Sequence, residues 1–416
     1  MRNSILLTGL VGLATVCTLP ACDSFVEDVD GPIDRVVSDS LNTQAQVGFL
    51  ATGVKESFND AYDATAVVAD LLSDAFLFDT SVDGATFPTF GDIDRGEILP
   101  DNNSVDGVYN AINEYRFVAD DILDRAEIIE FSDDDEGAEA RRLALFTGNF
   151  HGAIARYFLG TYFGPNGQTG GAPISEDPAN PGPVIPTAEL YNQAQQRLET
   201  ALNFLPAGDD GAYTRRVINT MRARIALFSG DRGQAEAFAA NGLVQGDAPY
   251  QGRYASTSAN NWWSQGGAGR TQVAADSRFA AYDEVDNRSL VEETPTVAGV
   301  TEIFYRQALY PQNSSPLPFL TWQENALILA EADIFDGDGD DDEARDLINS
   351  VRASRGIDDL EDDDDVDQAT LLETRDRELF TYGLRLVDQG RFGLPLANNT
   401  RYFPLTQSER NANPNV

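Results

Sequence analysis

Residues 318–356 decide how this chain folds: PFLTWQENALILAEADIFDGDGDDDEARDLINSVRASRG. Apolar side chains recur every three or four positions on both sides of an aspartate-rich centre, which predicts two amphipathic helices joined by an acidic loop. The stripe of the first helix comprises Phe319, Trp322, Ala326 and Ala330, and that of the second comprises Ala344, Leu347, Ile348 and Val351. Because neither helix can bury its stripe alone, we expect this hairpin to pack against other helices.

A second copy of the pattern lies upstream, in residues 221–243. In both copies a Gly-Asp pair precedes the first alanine of the second helix by the same spacing, at Ala235 and at Ala344. Repeated helix pairs of this kind resemble tetratricopeptide units, although amphipathic helix pairs also align by chance. We predict a mainly α-helical fold built from tetratricopeptide-like helix pairs.

The periodicity divides the chain into helical and irregular parts. Helical patterns fill residues 40–244 and 313–395, whereas periodicity fails over residues 245–312, where aromatic side chains are frequent. A long aromatic segment of this kind inside a compact chain is more often functional than idle. We therefore predict a single domain over residues 40–416, in which two helical parts support a loop-rich, ligand-binding insertion.

Residues 1–21 are typical of a bacterial lipoprotein signal peptide. Arg2 precedes an apolar run that is too short for a convincing membrane span, and the motif LPAC follows at residues 19–22. This motif resembles the lipobox, in which the cysteine thiol carries a diacylglyceryl group. Ordinary cleavage, the alternative, would leave Cys22 as a lone cysteine without a role. We predict a lipidated Cys22 and an acidic tether over residues 22–39.

The composition is strongly acidic, since 68 Asp and Glu residues against 29 Lys and Arg residues give a formal net charge of -39. Lys55 is the single lysine. Such a surface repels nucleic acids and anionic membranes. It favours a protein that works in high salt, where counter-ions screen the self-repulsion. The alternative is an ordinary acidic secreted protein.

Candidate catalytic and metal-binding groups are scarce in the sequence. The sole histidine, His151, lies within a predicted helix, so no serine or cysteine nucleophile can pair with a histidine base elsewhere. Residues 336–347 begin like a calcium loop, but Asp341 replaces the required glycine and Leu347 replaces the bidentate glutamate. Carboxylate pairs are too common in this chain to indicate a glycosidase. The sequence therefore predicts no catalysis, no metal and no cofactor.

The 245–312 segment contains the strongest candidate for ligand contact, the adjacent pair Trp262 and Trp263. Sugars stack apolar C–H faces on aromatic rings, and neighbouring amides such as those of Asn261 and Gln265 can bind the hydroxyls. Two adjacent residues cannot both face the core, so at least one indole is expected at the surface. We predict that Trp262 or Trp263, assisted by Tyr254, stacks on a ligand.

Two alternatives to this prediction stay open: one gives the tryptophan rings another role, and the other places the binding site in another loop. The rings could instead anchor the segment to the helices, in which case the binding site lies elsewhere. The second candidate is the loop of residues 80–103, which carries Phe87 and Phe90.

Several segments, in order along nearly the whole chain, resemble the pattern of SusD/RagB-type proteins, which are surface glycan-binding lipoproteins of outer-membrane nutrient uptake systems. The matching segments are LPAC at 19–22, IPTAEL at 185–190, LP at 205–206, LTWQE at 320–324, AEA at 330–332, INSVRA at 348–353, RDRELFTYGLRLVDQGR at 375–391, YFP at 402–404 and NP at 413–414.

The resemblance implies tetratricopeptide-like helix pairs that support a less regular ligand-binding region. It also implies a non-catalytic, lipid-anchored protein, exposed at the outer membrane, that captures a glycan or another nutrient. Its partner would be a SusC-like TonB-dependent transporter, over which such proteins sit as a lid. A secreted glycan-degrading enzyme and a repeat scaffold that binds only protein are the alternatives.

The acidic composition generates a first test. Because crowded carboxylates repel one another and salt screens them, the melting temperature should rise steadily from low to molar sodium chloride. Circular dichroism of the purified domain measures this dependence. A melting temperature that does not change with salt would contradict the high-salt interpretation.

Overall fold

Helices dominate the computed structural model, which describes residues 41–82, 85–175, 180–294, 299–335, 341–361 and 366–416. Residues Thr43–Val416 form one compact unit. The predicted signal peptide, Cys22, the tether and the aspartate-rich residues 336–340 lie outside the described residues. None of the described helices is both long enough and apolar enough to cross a membrane.

The predicted mainly α-helical fold is confirmed. The helices in chain order are α1 (Val47–Leu72), α2 (Pro88–Asp94), α3 (Asn103–Ile128), α4 (Asp135–Tyr162), α5 (Thr187–Ala201), α6 (Gly208–Phe228), α7 (Arg232–Ala239), α8 (Asn261–Gly266), α9 (Arg278–Asp283), α10 (Trp322–Phe335), α11 (Asp341–Ser354), α12 (Gln368–Glu378), α13 (Arg385–Phe392) and α14 (Gln407–Ala412). Both predicted hairpins are present, as α6–α7 and α10–α11, and α10 packs against α7. The antiparallel neighbours α3, α4 and α5 pack in sequence, with α1 against α3 and α4.

Short strands complete the fold. They are β1 (Phe76–Leu77), β2 (Phe163–Gly164), β3 (Gly171–Pro173), β4 (Val184–Pro186), β5 (Tyr250–Gly252), β6 (Ala274–Ala275), β7 (Val291–Thr294), β8 (Phe304–Gln307), β9 (Leu317–Leu320) and β10 (Phe403–Pro404). One antiparallel sheet has the order β1-β6-β8-β7, and β3–β4 and β5–β9 are antiparallel pairs. The β2–β10 pair is parallel.

The structure differs from the sequence-based expectation in two places, the start of one helix and the regularity of the insertion. Residues Leu317–Leu320, expected at the start of a helix, form β9, and the helix begins only at Trp322. The 245–312 insertion is more ordered than expected, since it contributes three strands of the four-stranded sheet together with α8 and α9. Pairing of β6 with β1 connects this insertion to the end of α1.

An aromatic cluster fills the space between the helices. The ring of Phe319 in β9 lies 4.8 Å from Tyr62, 5.3 Å from Phe58 and 5.7 Å from Phe158, measured between centroids. All four side chains are buried. Offset and edge-on contacts of this kind stabilise a core beyond the area that they bury. The strand that precedes α10 is therefore held by residues of α1 and α4.

Arg224 of α6 and Glu324 of α10 form an ion pair at the junction of the two hairpins, and each side chain is only 1% exposed. Nε and Nη2 of Arg224 donate to the two carboxylate oxygens at 2.6 and 2.5 Å, and Nη2 also donates to the backbone oxygen of Phe319. Burial alone would lower the pKa of Arg224, but the Glu324 carboxylate raises it above its ordinary value. The pair joins both hairpins to β9.

Replacing Arg224 with methionine would leave the Glu324 carboxylate buried without its partner. We expect the free energy of unfolding, measured by urea denaturation, to fall by about 3–5 kcal/mol. The matched control is Arg95→Met, because the partners of Arg95, which are Asp92 and Glu97, are exposed. The control should lose less than about 1 kcal/mol. Similar losses in both variants would show that the buried pair has no special role.

Candidate ligand-binding cleft

The predicted ligand-contact pair lies in α8, and its two tryptophans point in different directions. The side chain of Asn260 caps this helix by accepting the backbone N–H groups of Trp262 at 2.7 Å and Trp263 at 3.4 Å. Trp262 is fully buried; its indole N–H donates to the backbone oxygen of Thr381 at 2.8 Å, and its ring lies 4.5 Å from that of Phe76. The prediction that Trp262 contacts a ligand is therefore wrong, because the helix turns this ring into the core.

Trp263 and Tyr254 keep part of their surface accessible. A Cβ atom added at Gly269 would lie 2.6 Å from ring atoms of Trp263, so the following turn packs directly on this indole. The hydroxyl of Tyr254 donates to the backbone oxygen of Asn59 at 3.1 Å. Neither ring is among the described residues that line the cleft beside α8, and ligand contact by Trp263 and Tyr254 stays a prediction.

An open cleft of about 290 Å³ lies beside α8, where α1, α2 and α3 meet it. Its lining combines three kinds of group. The aliphatic side chains are Ala64, Val67, Val68 and Val108, the rings are Phe87 and Phe90, and the polar side chains are Asn103, Ser104, Asn261 and Gln265. The second candidate loop from the sequence and the amides that flank the tryptophans therefore meet at one place.

The aromatic side of the cleft is fixed by local hydrogen bonds. Phe87 precedes Pro88, which favours the extended backbone that Phe87 adopts and begins α2. The rings of Phe87 and Phe90 lie 5.8 Å apart; Phe90 is buried, whereas Phe87 is 38% exposed. The side chain of Asn102 caps α3 and donates to the backbone oxygen of Thr89 at 3.0 Å. These contacts hold the loop on α3 and leave the Phe87 ring accessible.

The polar side of the cleft depends on Asp63 of α1. Its two carboxylate oxygens accept the backbone N–H and the side-chain amide of Asn261, both at 2.8 Å. Burial raises the pKa of Asp63 to about 8, although the hydrogen bonds from Asn261 oppose this shift. Gln265 accepts a hydrogen bond from the side-chain amide of Gln272. Both amides are therefore oriented by the protein before any ligand binds.

The groups in the cleft suit binding by stacking and hydrogen bonding. Among the described lining residues, none is titratable. His151 lies in the core, bonded to the hydroxyl of Tyr115 at 2.8 Å, and burial together with Lys55 lowers its pKa to about 3. Within the described ranges, no group of three Asp, Glu, His or Cys side chains is arranged to hold a metal ion.

The sequence did not point to Asp63, Asn103 or Ser104. A signal for Asp63 was present, because it interrupts the run YDATAVVADLL at residues 62–72, where almost every other position is apolar or small. A carboxylate in such a run is buried and needs a hydrogen-bond partner. The sequence contains no comparable signal for Asn103 and Ser104, because polar residues of this kind are common at the first turn of any helix.

No protein-family model matches the sequence, and no curated protein matches it. Solved structures do match. A SusD superfamily protein from Bacteroides thetaiotaomicron has a TM-score of 0.72 over 90% of this chain and 98% of its own, at 17% identity. A SusD-like carbohydrate-binding protein from Bacteroides vulgatus has a TM-score of 0.66 over 90% and 97%, at 14% identity. Surface glycan-binding protein A from Bacteroides uniformis has a TM-score of 0.64 over 88% and 98%, at 16% identity.

These similarities extend over nearly the full length of both partners in each comparison, although the sequences are only 14–17% identical. The resemblance stated from the sequence is confirmed at the level of the fold. The chain has the fold of the SusD superfamily, with tetratricopeptide-like helix pairs as its framework.

Proposed function

We propose that this chain is a non-catalytic binding protein that captures a glycan, or a similar hydroxylated nutrient, in the cleft beside α8. The observation that carries the proposal is the lining, in which the exposed Phe87 ring stands beside aliphatic groups and oriented amides. Two of the solved structures with this fold are described as carbohydrate-binding or glycan-binding proteins, which supports the same class of ligand.

The lining matches the two surfaces of a sugar ring. The apolar C–H face can stack on Phe87, and hydroxyls at the edge can bond Asn261 and Gln265, whose amides both donate and accept. Because Asp63 already holds Asn261, little side-chain freedom is lost when a ligand binds. Preorganised amides of this kind give orientation and specificity, while stacking gives most of the affinity.

A glycan-degrading enzyme is the competing proposal. Glycoside hydrolysis generally uses two carboxyl groups, one on each side of the scissile bond. The described residues that line this cleft include no carboxyl group, and both oxygens of the Asp63 carboxyl group accept hydrogen bonds from Asn261. This arrangement favours binding without chemistry.

We further propose that a lipid on Cys22, followed by the acidic tether, holds the domain at the outer-membrane surface. There it would pass its ligand to a SusC-like TonB-dependent transporter. The lipobox motif and the shared fold support this part of the proposal.

The anchor is tested with Cys22→Ser, expressed in a strain that lacks the transporter. The serine variant cannot carry the thioether-linked lipid, so it should move from the membrane fraction to the soluble fraction, as measured by immunoblot. Retention of the variant on membranes would contradict the anchor.

The binding site is tested with Phe87→Ala and a panel of soluble polysaccharides, including α-glucans, β-glucans, mannans and pectins, with a peptide digest as a further ligand class. Loss of the stacking ring should weaken binding of the captured ligand by about 1–3 kcal/mol, which isothermal titration calorimetry measures. The matched control is Phe49→Ala, because Phe49 is an exposed phenylalanine of α1 outside the cleft lining.

Three outcomes would count against the proposal. Equal losses in the Phe87 and Phe49 variants would place the site elsewhere. Release of shortened products from any polysaccharide by the wild-type protein would show an enzyme. Binding of peptides alone would exclude a glycan as the ligand.

A further inference from the structure

Arg270 is an exposed arginine whose guanidinium lies over the accessible ring of the cleft. Its central carbon is 5.0 Å from the centroid of the Phe87 ring. It makes no hydrogen bond and no ion pair with any residue that the structure describes. The guanidinium therefore lies against the ring on which a ligand would stack, so a ligand that contacts Phe87 also comes close to Arg270.

Arg270 is one of several described arginines that have no carboxylate partner, and its place over the Phe87 ring distinguishes it from the others. Arg95, at the other end of the same phenylalanine loop, is neutralised by Asp92 and Glu97 at 2.6 and 3.2 Å. Arg278, further along the insertion, is neutralised by Asp376 at 2.7 Å. With 68 acidic residues in the sequence, leaving Arg270 without a carboxylate keeps its charge free for an external anion.

The turn that carries Arg270 is firmly held. The backbone N–H of Gly269 donates to the backbone oxygen of Trp263 at 2.9 Å, and the turn packs on the Trp263 indole so closely that a Cβ at Gly269 would clash with it. On the other side, the backbone N–H of Gln272 donates to the backbone oxygen of Gln265 at 2.6 Å. Trp263 thus supports the turn, and Arg270 projects from a fixed backbone rather than from a free loop.

We propose that Arg270 is a specificity-determining residue that pairs with an anionic group, a carboxylate or a sulfate ester, on a ligand stacked against Phe87. This inference rests on the proposed function of the cleft. The planar guanidinium can donate two parallel hydrogen bonds to either group, so both share the same recognition chemistry. The described lining residues carry no charge of their own, so Arg270 distinguishes an anionic ligand from its neutral analogue.

The net charge of -39 opposes the capture of an anionic ligand, and a local cation offsets this effect. At low salt the field of the whole protein repels an anion on approach. At molar salt the screening length falls to about 3 Å, so the long-range repulsion disappears while a contact ion pair is screened less. Selection of an anionic ligand then depends on the arginine that touches it.

The test uses two matched pairs of ligands and the full mature domain. The carboxylate pair is polygalacturonate and its methyl ester, and the sulfate pair is a sulfated galactan and its desulfated form. Affinities are measured by calorimetry at molar sodium chloride for the wild type, Arg270→Ala, Arg270→Lys and Arg253→Ala. Arg253 is the control, because it is an exposed arginine of the same insertion, whereas the arginine over the Phe87 ring is Arg270.

The wild type should bind the charged member of at least one pair tenfold or more tightly than the neutral member. Arg270→Ala should remove that preference while changing the affinity for the neutral member less than twofold. Arg270→Lys should keep part of the preference, and Arg253→Ala should keep all of it. The pair that shows the preference identifies the carboxylate or the sulfate as the group recognised.

The inference is wrong if the wild type binds neutral polysaccharides of the wider panel but shows no preference for a charged member, or if Arg270→Ala weakens both members equally. In either case the binding function itself stands. If the wild type binds no polysaccharide at all, the proposed function fails and this inference fails with it.

Discussion

The buried ion pair between Arg224 and Glu324 is the constraint on which the rest of the structure depends. It joins the α6–α7 and α10–α11 hairpins, and through the backbone oxygen of Phe319 it also fixes β9. Because β9 pairs with β5, both ends of the 245–312 insertion are held together at this junction. Burying two charges away from water carries a large desolvation penalty. The pair therefore contributes less to net stability than to fixing one arrangement of the hairpins.

The cleft follows from this arrangement through α1. The aromatic cluster around Phe319 positions α1, and Asp63 on α1 then holds Asn261 at the start of α8. From the other direction, β6 pairs with β1 directly after α1. The irregular part of the chain is thus attached to the helical framework at several points, and the Phe87 ring and Arg270 are exposed at the cleft.

The sequence predicted the helix pairs because their apolar stripes are long and regular, and both hairpins are present as expected. It could not assign the faces of α8, since a helix of six residues is too short for periodicity and its rotation is set by the Asn260 cap. Trp262 consequently became a ligand candidate although it is a core residue. The prediction that one of two adjacent tryptophans stays accessible agrees with the partly exposed Trp263, because neighbouring side chains on a helix point in different directions.

The cleft itself could not be derived from local patterns. Val67 and Asn261 line it together although nearly two hundred positions separate them in the chain. Asp63 was missed for a different reason: its signal, a carboxylate within an apolar run, is easily overlooked in a chain with 68 acidic residues. The loop that carries Phe87 and Phe90 was the second candidate site, and aromatic side chains in a loop are a signal that does not depend on the fold.

The most direct test of this account is hydrogen–deuterium exchange of the mature domain with and without a saturating concentration of a polysaccharide that it binds. The account predicts that slower exchange is confined to residues 86–91, 103–108 and 261–272, which border the cleft or support it. Protection around Tyr254 or at the outer faces of the hairpins, with none at these three segments, would contradict it.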